Sequence, residues 1–287
     1  LPGYPGDPNL GEVSQTKSKL PDLVIPSRFC GPPASGNGGY VCGRVAGYLH
    51  GPVTVTLRRP VPLAAPMAVE QDDDGSVRVH HDHTLIAEAA LSPGHLSPQI
   101  PGLVSIAEAH AAAGRARYFA DPVYPTCFGC GMSRQPGDGL RIFPGAVASR
   151  GLWAAPWTPH PSVSDDSGRV RPEVVWAALD CPSGIAAAEA ASLDQDTAIL
   201  LGQMTADLVA LPAAGDPCRV IAWLAGRDGR KLTAGSALIG RHGEVLAAAS
   251  TLWLTVPRPA PASAPATAAP ATAAPVTAAA PAARGAA

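Results

Sequence analysis

Asp180 is the residue whose setting most demands a chemical explanation. It falls within an apolar run, with Val174, Val175, Trp176, Ala177, Ala178 and Leu179 before it and Ile185 and several alanines after it. An ionised carboxylate there is costly unless it is hydrogen-bonded or used. Such burial raises a carboxylate pKa and suits a general base or a nucleophile. The competing reading is a solvent-facing turn or a bond to a loop amide, because Pro182 lacks the N–H of the helical ladder and should kink a helix beside Asp180. A second group has the complementary chemistry. Asn37-Gly38-Gly39-Tyr40 opens a segment, Gly36 to Leu49, in which Val41, Val45, Tyr48 and Leu49 share a helical face. Glycines at a helix start leave peptide N–H groups unpaired and let a carbonyl approach closely. Gly38 and Gly39 could therefore hold a developing oxyanion, with Asn37 as a further donor. In the purely structural reading Asn37 is an N-cap and the glycines are packing residues.

Cysteine and histidine offer fewer openings. Cys127 and Cys130, with Gly131, have the spacing of half a zinc knuckle, but no second CxxC and no His-x(3–5)-His partner is present. A closed structural site needs four ligands, so no metal is expected there. His80, His81 and His83 surround Asp82; on a strand His81 and His83 would share one face, and a solvated strand end explains them. Asp72-Asp73-Asp74-Gly75 is too short for a calcium loop and reads as a hairpin turn. The sequence contains no phosphate loop, dinucleotide fingerprint or nucleophile elbow, and no cofactor is implied.

The elements that must position these groups occur twice. In the first half the helix from Gly36 is followed by strand-like alternation within Pro52 to Glu70, the Asp72–Gly75 turn, Val77 to Val79, and a closing strand from His83 to Leu91. The second half should begin with strands at Leu140 to Phe143 and Gly151 to Trp157. A helix from Pro172 to Ala191 follows, with proline at its first turn and Glu173 beside it. Strands over Thr197–Leu211, Cys218–Gly226, Lys231–Ile239 and Glu244–Val256 complete it. The expected organisation is a flexible segment 1–21, repeats 22–120 and 121–256, and a disordered Pro/Ala/Thr tail 257–287.

Composition bounds the function. With 287 residues, 46% of them hydrophobic, the chain can bury a proper core. A net charge of −2 leaves no basic surface to follow a phosphate backbone, which argues against nucleic acid as a partner. Apolar stretches fall far short of the ~18 residues that span a bilayer, and no basic, then apolar, leader opens the chain. Six cysteines, several in apolar segments, read as buried thiols of a cytoplasmic protein rather than a disulfide framework.

One long helix wrapped by antiparallel strands, occurring twice, is an α+β pattern, that of the double hotdog fold. Three short motifs resemble the acyl-CoA thioesterase-like hotdog proteins. Cys127-Phe128-Gly129-Cys130-Gly131 followed by Gly139-Leu140-Arg141-Ile142-Phe143 resembles the opening segment of the phenylacetyl-CoA-type thioesterases. Asn37-Gly38-Gly39 resembles the helix start of such folds, and Leu179-Asp180 with Gly184 resembles their mid-helix acid. In single-domain relatives the acid lies seven residues after the second glycine. Here that count from Gly39 reaches Ala46, and the count back from Asp180 reaches Glu173. The first repeat keeps the glycines and the second keeps the acid, so together they would build one site.

The resemblance implies hydrolysis of an acyl thioester of CoA or a carrier protein, with Asp180 as base or nucleophile and Gly38 and Gly39 as oxyanion donors. In two-domain relatives a Gln and a Thr hold the attacking water; by strand order Gln203 and Thr251 fall near those places with their types exchanged, Ser250 and Thr205 being the alternates. A non-catalytic acyl-thioester binding protein is the main alternative. A dehydratase or hydratase would pair a His with the acid, and neither helix contains one. Homo-oligomers of double-hotdog units are compatible with the resemblance.

Overall fold

The computed structural model describes residues 18–92 and 99–259; 1–17 of the expected N-terminal segment and 260–287 of the expected tail lie outside the described residues. The chain first lays down β1 (Ser18–Val24) and α1 (Gly38–Ala46), then β2 (Val53–Leu57), β3 (Pro66–Gln71), β4 (Val77–His81) and β5 (Thr84–Leu91). A short helix α2 (Ile106–Ala113) leads to β6 (Gly145–Val147) and β7 (Leu152–Trp157). The long helix α3 (Pro172–Ala190) comes next, then β8 (Thr197–Leu208), β9 (Cys218–Asp228), β10 (Lys231–Ile239) and β11 (Val245–Pro257).

Among the described residues the strands join one antiparallel eleven-stranded sheet, in the order β1-β3-β4-β5-β2-β8-β11-β10-β9-β7-β6. The first five strands run 1-3-4-5-2 from the outer edge inward. Their counterparts run 7-9-10-11-8 inward from beside the opposite edge, which β6 forms, so the same strand, helix, four-strand order is laid down twice about the β2–β8 junction. Four residue pairs, from Val53–Ala206 to Thr56–Gln203, form that junction. This is the α+β hotdog arrangement, an antiparallel sheet packed on the long helix α3 and the shorter α1.

α3 is apolar on nearly every face, and every residue from Val174 to Ala187 is buried. Such a helix must lie inside a sheet rather than upon one. α1 lies directly against it, and glycine makes the approach close. A Cβ on Gly39 would stand 2.4 Å from the Asp180 Cβ and 2.6 Å from the Trp176 carbonyl oxygen, and one on Gly43 would stand 2.5 Å from the Glu173 Cα. One core cluster, including Tyr40, Val45, Met67, Phe128, Trp176, Leu179 and Met204, runs through both halves.

Some expectations are corrected. The first strand starts at Ser18, inside the segment expected to be flexible to Pro21. Residues 140–143 form no strand. Arg141 adopts a left-handed φ of 55°, and this stretch instead bonds the cysteine turn, Leu140 N–H to Phe128 C=O and Ile142 N–H to Gly129 C=O. α2 was not anticipated, although Ser105 and Glu108 form a capping box at its start. Asp82 and His83 both have positive φ, so His83 belongs to the turn and shares no strand face with His81. The helix of Asp180 runs through Pro182 without ending.

Candidate active site

The two chemistry-bearing groups meet. Asn37 and Asp180 are each 2% exposed. Asn37 uses both ends of its amide: Oδ1 accepts from Tyr40 N–H at 2.9 Å, capping α1, while Nδ2 donates to Asp180 Oδ2 at 3.0 Å. The Gly39 N–H donates to the same oxygen at 2.9 Å. Asn37 is thus the N-cap of α1, and its side-chain donor is turned to the Asp180 carboxylate. The other carboxylate oxygen, Oδ1, is buried and has no hydrogen-bond partner. Burial pushes the Asp180 pKa up to about 7, opposed by the hydrogen bonds from Gly39 and Asn37 and assisted by the neighbouring Cys127.

The sequence reading of Gly38 and Gly39 as equivalent donors is revised. Gly39 N–H is committed to Asp180, whereas Gly38, one residue earlier at the first helical position, has no partner within the chain for its N–H among the described residues. Gly38, Asn37 and Asp180 line a pocket of about 260 Å³, walled by Tyr118, Leu201 and Trp253. Arg58, which pairs with Glu88, and Arg59 stand at its exposed rim.

Two sequence candidates lie elsewhere. Gln203 does not line the pocket; its Nε2 donates to Thr56 Oγ1 at 3.0 Å across the β2–β8 junction. Thr251 is buried behind α3, where its hydroxyl donates to Ser183 Oγ at 3.0 Å and accepts from Trp253 Nε1 at 3.0 Å. Ser183 in turn donates to the Asp180 carbonyl at 2.7 Å, so Thr251 bears on the backbone beneath the carboxylate rather than on the pocket. Of the alternates, Ser250 is exposed and Thr205 pairs with Thr54. At the counterpart position of the acid in α1, Ala46 is buried and carries no chemistry.

Sequence reasoning missed two groups. Cys181, beside Asp180, also lines the pocket with Cys127 and Cys130, and Ser183 braces α3. Adjacency to the acid was the signal for Cys181, but only the fold brings it to the CxxC turn.

No family model and no curated protein matches the sequence. Solved structures do. A TesB protein of Mycobacterium avium subspecies paratuberculosis aligns over 87% of this chain and 96% of its own, with TM-score 0.50 and 14% identity. A thioesterase superfamily protein (TM-score 0.36, 20% identity) is matched over 40% of this chain, which spans only 54% of that protein. A putative thioesterase, a phenylacetic acid degradation-related protein of Ralstonia eutropha, is matched over 40% of this chain and 85% of its own (TM-score 0.36, 18% identity). The full-length likeness shows that this chain has the fold of the hotdog thioesterase superfamily.

Proposed function

We propose that this chain is a double-hotdog hydrolase of acyl thioesters, in which repeat 22–120 supplies the glycine helix start and repeat 121–256 supplies the acid. The observation that carries this reading is the Asp180 carboxylate: one oxygen is fixed by two donors from α1, and the other is buried, unpartnered and beside a pocket. Asp180 Oδ1 would take a proton from water as the water oxygen attacks the thioester carbonyl, or would attack that carbon itself. The Gly38 N–H, at the positive end of the α1 dipole, would hold the oxyanion. Collapse expels the thiolate, which leaves as the free thiol after protonation; when water attacks, the acyl group leaves directly as a carboxylate, and when Asp180 attacks, the resulting mixed anhydride is hydrolysed by water, which releases the carboxylate and restores Asp180. Among the described residues no histidine lines the pocket, which favours hydrolysis over hydration.

The thiol carrier is CoA or a carrier protein; the arginines at the rim suit the phosphates that both bear. Six buried free thiols suit the cytoplasm, and no helix among the described residues is long and apolar enough to cross a membrane. Thiol release from short, medium, long and aromatic acyl-CoAs tests the reading, with wild type set against a folded Asp180→Ala variant. Release abolished by the substitution is expected. Binding of acyl-CoA without any release would make this a thioester-binding protein instead.

A further inference from the structure

The cysteine turn and Cys181 meet in a way that the proposed hydrolysis does not use. The Sγ atoms of Cys127, Cys130 and Cys181 all lie within 4.8 Å of one another, with 3.6 Å between Cys127 and Cys181. All three residues are buried, and all three line the pocket. Thiolates ~2.3 Å from one tetrahedral ion stand about 3.8 Å apart, so these sulfurs are near the spacing a shared ion imposes.

The backbone is shaped for the cluster. A Cβ on Gly131 would stand 2.4 Å from the Cys127 carbonyl oxygen, so glycine closes the CxxCG turn, in which Gly131 N–H bonds that oxygen at 2.8 Å. A Cβ on Gly129 would stand 2.7 Å from the Cys181 sulfur, so glycine there admits the third thiol. Residues 140–142 clasp the turn from outside through two backbone hydrogen bonds. The surroundings also present a donor to sulfur. Asn37 Nδ2 is 3.7 Å from both the Cys127 and Cys181 sulfurs. Amide donors aimed at sulfur stabilise thiolates, the form that binds metals, and are not needed by thiols that merely fill a core.

We propose that Cys127, Cys130 and Cys181 form a site for one thiophilic d10 cation, Zn2+, held by three thiolates, with its fourth position left to water or to a ligand in the pocket. The CxxC turn supplies two ligands and α3 the third. Binding releases the thiol protons to solvent and leaves no redox change at sulfur. The site stands whether or not the pocket hydrolyses thioesters.

The full-length chain, purified under reducing, chelator-free conditions, should carry about one zinc per chain by elemental mass spectrometry. That zinc should be lost in Cys127→Ser and Cys181→Ser and kept in Cys42→Ser and Cys218→Ser, whose thiols lie outside the cluster. Ligand variants can fail to fold, so a second measurement uses wild type alone. The chain is stripped with chelator and titrated with Co2+, and a sulfur-to-cobalt charge-transfer band with intense tetrahedral visible bands should saturate at one equivalent. A metal-free chain that gives neither band overturns the proposal, as does a Cys127–Cys181 disulfide found by peptide mapping of the chain isolated without reductant.

Discussion

At the scale of single residues, the site is a carboxylate held in an environment that opposes its charge. Asp180 Oδ2 receives two hydrogen bonds, yet burial outweighs them and leaves the pKa near 7. Removing the charge should therefore separate function from stability. Asp180→Asn keeps an oxygen for Gly39 and Asn37 to bond, so the fold survives, and it should raise the unfolding free energy by ~1–3 kcal/mol of lost desolvation cost. The same variant should slow thiol release by about 10²–10⁴-fold, because an amide can neither accept the proton nor attack carbon. Denaturant melts and initial rates on one preparation check both; a less stable, fully active variant would contradict the assignment. Asn37→Ala removes the α1 cap together with a donor to Asp180. It should cost ~1 kcal/mol in the same melts and lower the rate without abolishing it. Asp180 was legible in the sequence as an acid in an apolar helix. Its partners were not, since nothing local links residues 37 and 180, which belong to different helices.

At the scale of elements, the decisive contact is the crossing of α1 and α3. Gly39 and Gly43 lie one helical turn apart on the face of α1 that meets α3, and a methyl on either would overlap that helix. Gly39→Ala should cost ~1–3 kcal/mol by overpacking and should also displace the N–H that fixes Asp180. Gly43→Ala should cost similar stability, but it lies a turn from the carboxylate and should keep more of the activity. Melts and rates for the pair test this: equal activity losses would mean that general loosening, not placement of Asp180, explains the effect. The sequence identified both α1 and α3 and most of the strands around them by periodicity, because buried elements repeat apolar residues at their own period, but it took the start of β1 as flexible and passed over β6. It misread residues 140–143 as a strand, since Leu140, Ile142 and Phe143 show strand-like apolarity although their backbone bonds serve the cysteine turn. It passed over α2, whose Ser105 and Glu108 capping signal precedes a short alanine-rich stretch with little periodicity.

At the scale of the molecule, the repeats share one sheet and one core. β2 pairs with β8 at the centre, and the main apolar cluster takes residues from both sides. Unfolding should accordingly be a single cooperative transition, coincident by circular dichroism and tryptophan fluorescence. A fragment ending at residue 120 should lack stable structure, because it loses α3, against which α1 packs. Hydrogen exchange on that fragment checks the claim, and native-like protection of β3–β5 would refute it. The sequence by itself determined the two helices, most of the strand order and the acid within an apolar helix, because these follow from local periodicity and from the cost of placing a charge in an apolar run. Tertiary structure alone decided which of them act together. It set Asn37 and Gly39 on Asp180, turned Gln203 toward Thr56, placed Thr251 behind α3 and brought Cys181 to the CxxC turn. The reason is physical: residues far apart in the chain come within hydrogen-bond distance only through helix crossing and strand register, and both are fixed by packing across the whole core.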